Sequence, residues 1–284
     1  MKHLRISLSL FLLFAAVPFA AAQKKQTFAY ADGGERQNLD VYGQKADAKA
    51  PVLIFVHGGG WTLGRKDQYG YLGKTFQNKG CVVVAINYRL HPQVVFPAYP
   101  KDAAAAVKWV VENITEHGGD PSNLYLMGHS AGAHSVALLG IDPSYLEEVG
   151  VERPAIKAVI PISGPLTMEP SKVRPIRPIF GEVEDDLVVP ARRITSETVK
   201  EAPPFLLLHG NRDPLVGVDQ SADFEKQLTE AGGRAKGIYY EKHDHITIIG
   251  AFAERWETQG KVIGPVIDLI EAGGEVEKVE SPLD

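Results

Sequence analysis

The run Leu124-Tyr125-Leu126-Met127-Gly128-His129-Ser130-Ala131-Gly132-Ala133-His134-Ser135-Val136-Ala137-Leu138-Leu139 decides how this chain reads. Its first four residues suit a strand, its last nine suit a helix, and Gly128-His129-Ser130-Ala131-Gly132 joins them. A strand that turns sharply into a helix strains the residue at the apex, and flanking glycines remove the Cβ atoms that would clash there. Ser130 at that apex is a candidate nucleophile on a nucleophile elbow. The bare Gly-x-Ser-x-Gly pattern is common as a plain turn, so its weight depends on what surrounds it.

Upstream, the apolar run Val52-Leu53-Ile54-Phe55-Val56 leads straight into His57-Gly58-Gly59-Gly60-Trp61. Consecutive glycines after a strand leave N–H groups uncovered by side chains and able to face an anion. The N–H groups of Gly59, Gly60 and Ala131 are therefore candidate oxyanion donors. A serine hydroxyl also needs a base, and the base needs a third group to fix its tautomer. Pro204-Phe205-Leu206-Leu207-Leu208-His209-Gly210 reads as a buried strand followed by a loop carrying Asp213, the preferred acid, with Asp219, Asp185 and Asp186 as competitors. A later strand at 237–241 leads to Lys242-His243-Asp244-His245, where His245 is the preferred base because a helical stretch starts just after it, and His243 competes. The pair His243/His245 could also suggest a metal, but no third ligand stands nearby at a suitable spacing. The chain order Ser130, Asp213, His245 is the one found on α/β-hydrolase sheets.

Strand candidates at 36–42, 52–56, 82–87, 123–128, 156–162, 204–208 and 237–241 alternate with helical stretches near 67–79, 99–117, 131–140, 219–231 and 246–271. Continuous β-branched runs alternating with helices imply an α/β fold: a mainly parallel central sheet with helices on both faces. All the candidate catalytic segments follow strands, so they converge at the carboxyl edge where such sheets bind ligands.

These motifs together resemble an α/β-hydrolase esterase of the His-Gly-Gly-Gly type. The chain is similar to hormone-sensitive-lipase-like carboxylesterases, and more so to small bacterial carboxylesterases, feruloyl or acetyl esterases and arylformamidase-like hydrolases. Leu39-Asp40-Val41-Tyr42, Asn87-Tyr88-Arg89-Leu90, Phe96-Pro97-Ala98 with Asp102, and Ile162-Ser163-Gly164-Pro165 carry the resemblance alongside the elbow and the Asp213 and His245 loops. It covers residues 35 to 270 and departs at His91-Pro92-Gln93 and Ala133. The resemblance implies hydrolysis of a small-molecule carboxyl ester through an acyl-enzyme, with no cofactor. Short acyl groups come first, and acetyl or feruloyl esters of polysaccharide are a special case. Amide hydrolysis on a formyl-aryl substrate, an exported peptidase and a non-catalytic binding protein on the same scaffold are the alternatives.

Lys2, His3 and Arg5 precede an apolar stretch from Ile6 to Phe19 and then Ala20-Ala21-Ala22, a pattern that predicts a signal peptide cleaved after Ala22 and export. The apolar core is shorter than the ~20 residues of a spanning helix, which argues against a stable membrane anchor. Residues 23–284 then suit one α/β domain. Cys81 is the only cysteine and reads as a small buried apolar residue, so no internal disulfide can form. A formal charge of −5 without a basic block makes nucleic acid and anionic membrane poor partners; composition leaves the oligomeric state open.

The proline-rich stretch between Pro165 and Pro203 reads as a cap-like insertion over the catalytic edge, or equally as a surface excursion, with residues 23–35 expected to help shape the pocket. Trp61 is a candidate substrate-binding residue. His57 is expected to anchor its glycine loop, His129 and His134 to pack around the elbow, and Arg89 and Asp102 to form a structural pair.

Overall fold

The computed structural model describes residues 24–253 and 261–276; the predicted leader, 1–22, lies outside the described residues. Its strands are β1 (Gln26–Ala29), β2 (Asn38–Tyr42), β3 (Ala50–Val56), β4 (Val82–Ile86), β5 (Gly119–His129), β6 (Ile156–Ile162), β7 (Phe205–Gly210) and β8 (Ala235–Tyr240). They form one sheet in the order β1-β2-β4-β3-β5-β6-β7-β8. From β4 to β8 every neighbouring pair is parallel, whereas β1 and β2 run antiparallel at one edge.

The reason lies in the side chains. Val82-Val83-Val84-Ala85-Ile86 has no polar position to offer water, and a strand of that kind is stable only when both sheet faces are covered. All five residues are buried. The cover comes from helices α1 (Gly70–Asn78), α2 (Ala98–Asn113), α3 (Ala131–Ile141), α4 (Ser144–Glu147), α5 (Arg177–Phe180), α6 (Asp185–Val188), α7 (Asp219–Glu230), α8 (Thr247–Gly250) and α9 (Ile263–Glu271). Ile54, Val84 and Leu126 share one apolar cluster with Val107 of α2 and Val136 of α3, while Phe55, Val83 and Met127 share the other with Phe76 of α1 and Val266 of α9. The period-2 alternation of each strand thus feeds two cores. Every residue of α3 is buried, which fits a sequence that is apolar apart from His134 and Ser135.

Three details differ from expectation. Residues 26–29 form an edge strand, with Phe28 packed on the rings of Trp109 and His117 at 5.1 and 5.0 Å, so this segment extends the sheet instead of shaping the pocket. β5 begins at Gly119, earlier than its apolar core, because Ala50 pairs with Gly119 before a register shift. The helix read over 246–271 is divided into α8 and α9, and residues 254–260 between them lie outside the described residues. Among the described residues no helix is long and apolar enough to cross a membrane. Cys81 is buried, and burial pushes its thiol up to about 12, in keeping with a packing role.

Candidate active site

Ser130 stands between β5 and α3 with φ 54° and ψ −119°, a strained left-handed conformation for a residue with a side chain. The strain is held by close main-chain crossings. A Cβ on Gly132 would overlap the carbonyl oxygen of Val56 and approach that of His57 to 2.7 Å, and one on Gly128 would overlap Gly132 and come within 2.8 Å of the Ala133 nitrogen. Only glycine fits at either place.

The glycine loop after β3 is folded back on itself. The Gly59 carbonyl accepts the N–H groups of Thr62 (3.2 Å) and Leu63 (2.9 Å), and Gly59, Gly60 and Trp61 all take positive φ. Among the described residues the N–H groups of Gly59, Gly60 and Ala131 have no protein acceptor, and all three residues sit beside Ser130 or on the wall of its cavity. His57 holds the loop from below: its Nδ1 lies 2.7 Å from the Gly58 carbonyl, and burial pushes its pKa down to about 4, so the ring is neutral and donates.

Asp213 and His245 meet. His245 Nδ1 lies 2.7 Å from Asp213 Oδ2, and Asp213 Oδ1 accepts the N–H groups of Leu215 and Val216 at 2.9 Å each. Burial alone would raise the Asp213 pKa, but the Val216 N–H, the His245 imidazole and the Leu215 N–H outweigh it and hold the carboxyl below its usual range. A fixed negative charge on this carboxylate makes His245 donate from Nδ1 and leaves Nε2 as the acceptor. The competing residues serve elsewhere. Asp185 bonds Ser171, Asp186 pairs with Arg192, Asp219 is exposed at the start of α7, and His243 is buried against Tyr240. Asp244 accepts the N–H groups of Ile246 and Thr247 at 2.9 and 2.7 Å, capping the turn that carries His245.

Ser130 and His245 face one cavity of about 690 Å³, whose walls also include Gly59, Gly60 and Tyr69 and, from the 165–203 segment, Pro165, Met168, Val173 and Ile176. The first portion of that segment walls the cavity; its later portion buries Phe180, Val188, Val189, Ala191 and Val199 in the core and carries its charged residues, such as Asp186 and Arg192, on the outside. Trp61 borders the cavity, but its indole is 3% exposed and packs on Phe180 and His134, which makes it a wall more than a contact surface.

The sequence profile of the BD-FAE family matches residues 39–228, a span containing the glycine loop, Ser130 and Asp213 and ending before His245. The chain belongs to the BD-FAE family. This BD-FAE member is 34% identical over 227 residues to the esterase LipQ of Mycobacterium tuberculosis, an alignment covering 74% of this chain and 54% of LipQ. It is 31% identical over 254 residues to the isoprenylcysteine alpha-carbonyl methylesterase ICME of Arabidopsis thaliana, covering 83% and 59% of the two chains. It thus spans little more than half the length of these curated relatives. Among solved structures it superposes on a truncated carbohydrate esterase from gut microbiota with a TM-score of 0.74 at 21% identity, covering 89% of this chain and 97% of the other. A thermophilic esterase from Thermogutta terrifontis gives a TM-score of 0.71 at 24% identity, covering 93% and 96%. These likenesses establish the α/β-hydrolase fold.

In this BD-FAE member a set of buried histidines surrounds the site. His129 Nε2 lies 2.9 Å from the His245 carbonyl, its ring is 4.7 Å from the His245 ring, and burial lowers its pKa to about 3. His134 Nε2 lies 2.9 Å from the Val188 carbonyl and ties α3 to α6. Arg89 and Asp102 form the expected pair, with Arg89 Nη2 2.6 Å from Asp102 Oδ1. His209 was missed by sequence reasoning. It is fully buried, its Nε2 lies 2.9 Å from the Val216 carbonyl, and its Nδ1 lies 2.7 Å from Ser221 Oγ, so it braces the loop that presents Asp213. The spacing His209-Gly-x-x-Asp213 at a strand end was the available clue.

Proposed function

We propose that this protein is a serine carboxylic-ester hydrolase working through an acyl-enzyme on Ser130. The observation that carries the reading is the 2.7 Å contact of a buried, ionised Asp213 with His245, which lines the same cavity as a strained Ser130 and the glycine loop with its free main-chain donors. His245 Nε2 takes the Ser130 proton as Oγ attacks the ester carbonyl carbon. The N–H groups of Gly59, Gly60 and Ala131 bind the oxyanion. The C–O bond to the alcohol then breaks, and the His245 imidazolium gives its proton to the departing oxygen. Water repeats the sequence on the acyl-enzyme: His245 takes a proton from water, the hydroxide attacks, and Ser130 leaves with that proton as the acid is released. Asp213 stabilises the imidazolium throughout.

Esterase relatives support this assignment. Small or short-acyl carboxyl esters fit the cavity volume, and the leader sequence supports export to the periplasm or medium. The test is hydrolysis of p-nitrophenyl acetate, butyrate and octanoate by the protein beside Ser130→Ala. Turnover that disappears in the variant is the expected result. Equal, near-background rates in both would overturn the reading.

A further inference from the structure

The cavity wall contains no Asp, Glu, Lys or Arg among the described residues, although these make up 23% of the chain. Its polar side chains are few and partly committed: Gln68 Oε1 accepts the Arg65 N–H, and Gln220 Oε1 accepts the Thr167 N–H, while the buried Trp61 indole N–H has no partner among the described residues. A sugar entering this space would exchange the water on each hydroxyl for few partners, and unpaired hydroxyls are costly to bury. The mouth points the same way. Leu63, Leu215 and Ile246 are 70%, 72% and 64% exposed, and all three belong to the cavity lining. One exposed leucine is ordinary. Three large aliphatic side chains around one opening form a patch that an apolar molecule would cover.

Chemistry decides which part of the substrate meets them. His245 Nδ1 is occupied by Asp213, so Nε2 must protonate the departing oxygen, and the alcohol portion of the ester lies on the His245 side. Ile246 follows His245 directly, and the Leu215 N–H bonds Asp213 itself at 2.9 Å. We infer that the leaving group of the natural ester is an uncharged, extended apolar alcohol, seated on Leu215 and Ile246. The inference rests on the ester-hydrolase reading above and narrows it, away from polysaccharide esters whose leaving group is a sugar.

Alkyl acetates test this cleanly, because ethyl, butyl and hexyl acetate share an acyl group and have leaving alcohols of nearly equal acidity. Each methylene fully withdrawn from water strengthens binding by about fourfold. Rates are followed by proton release at constant pH. The expected result is a kcat/KM that rises at least ~10-fold from ethyl to hexyl acetate. In the double variant Leu215→Ser/Ile246→Ser the rise shrinks to about threefold or less, while Leu187→Ser, an exposed leucine outside the cavity, keeps it. Ser130-dependent turnover with no dependence on chain length would overturn this inference and leave the esterase reading standing. The same holds for a rise that survives the double variant, or for acetylated xylo-oligosaccharide outpacing hexyl acetate. Failure to turn over any ester, p-nitrophenyl acetate included, would overturn both.

Discussion

The elbow and the 165–203 segment meet at the same cavity but are held by different forces. Around Ser130, main chain packs on main chain: Gly132 lies against the carbonyls of Val56 and His57, and Gly128 against Gly132. Across the cavity, Met168, Val173 and Ile176 present side chains from short helices and turns. The turn beside Met168 is tied at the surface by pairs such as Arg192 with Glu169, and exposed pairs of that kind contribute little. A backbone crossing admits almost no substitution, whereas a side-chain wall admits many. The geometry around Ser130 is therefore fixed by the fold, and the shape of the facing cavity wall can vary.

The largest effect is expected at the carboxylate behind His245. Asp213→Asn should lower kcat by on the order of 10⁴-fold, since a neutral amide cannot hold the same tautomer or stabilise the imidazolium. Titration of folded protein with an active-site phosphonate, followed by ester turnover, measures it; less than a tenfold loss would remove Asp213 from the role proposed. Next comes the crossing itself. Gly132→Ala drives a methyl group into the Val56 carbonyl and should cost about 3 kcal/mol or more, with loss of most activity. An unchanged urea midpoint would show that the elbow is as plastic as the opposite wall.

Acid should separate the two regions as well. His57, His129 and His134 are buried neutral around the elbow, with pKa values pushed down to about 4, 3 and 4, and residues 165–203 contain no histidine. Below about pH 6.5 the unfolded chain takes up protons that the folded chain refuses, so stability falls as pH falls from there toward 4. Each such histidine contributes a loss on the order of 3 kcal/mol across that window. Asp213 adds a loss of the same sign further down: its lowered pKa gives stability present above the ordinary carboxylate value and lost as pH falls through the folded one. Urea midpoints between pH 7 and 4.5 should drop steeply, and less steeply in His134→Gln, which can still donate to Val188. Identical slopes in the two proteins would mean that His134 is charged in the folded state.

What could be read from sequence follows the same division. The strand-end placement of Ser130, Asp213, His245 and the glycine loop was legible because each stands at, or in the loop just after, a strand-like apolar run, and that is a local pattern. β1 was not: Gln26-Thr27-Phe28-Ala29 has a single large apolar side chain and gains its strand state from pairing with β2. His209 was hidden for another reason. Its partners, Val216 and Ser221, are recognisable only once the loop has folded over it. The 165–203 segment offered prolines and mixed charges but no period, so its division into a cavity wall, a packed part around Val188 and Val189 and a charged exterior needed the tertiary contacts.

His129 lies at the boundary between what the elbow fixes and what it merely supports. Its Nε2–H reaches the His245 carbonyl, and a Cβ on Gly58 would come within 2.8 Å of its Nδ1, so the neutral ring is wedged between the glycine loop and His245. His129→Phe keeps the bulk and removes the donor. It should lower kcat about 10- to 100-fold with KM little changed, a cost of roughly 1 to 3 kcal/mol for an unpaired buried carbonyl and a loosened base. His129→Gln should recover part of the loss. A matching fall in thermal stability without a kcat effect would make His129 a packing residue only.

The smallest effect is expected on the opposite wall, and it is the one that most sharpens the contrast. Ile176 is partly buried at the cavity and packs on the core below. Ile176→Ala removes apolar surface from the cavity without touching any main-chain crossing. Stability should change by about 1 kcal/mol or less, since neighbouring side chains can close over the space. Selectivity should move instead: the ratio of kcat/KM for octanoate over acetate p-nitrophenyl esters should shift by a few-fold, at a thermal midpoint close to that of the unaltered protein. A loss of all ester turnover alongside Gly132→Ala would show that the wall helps fix the reacting geometry, and the two regions would then be one mechanical unit.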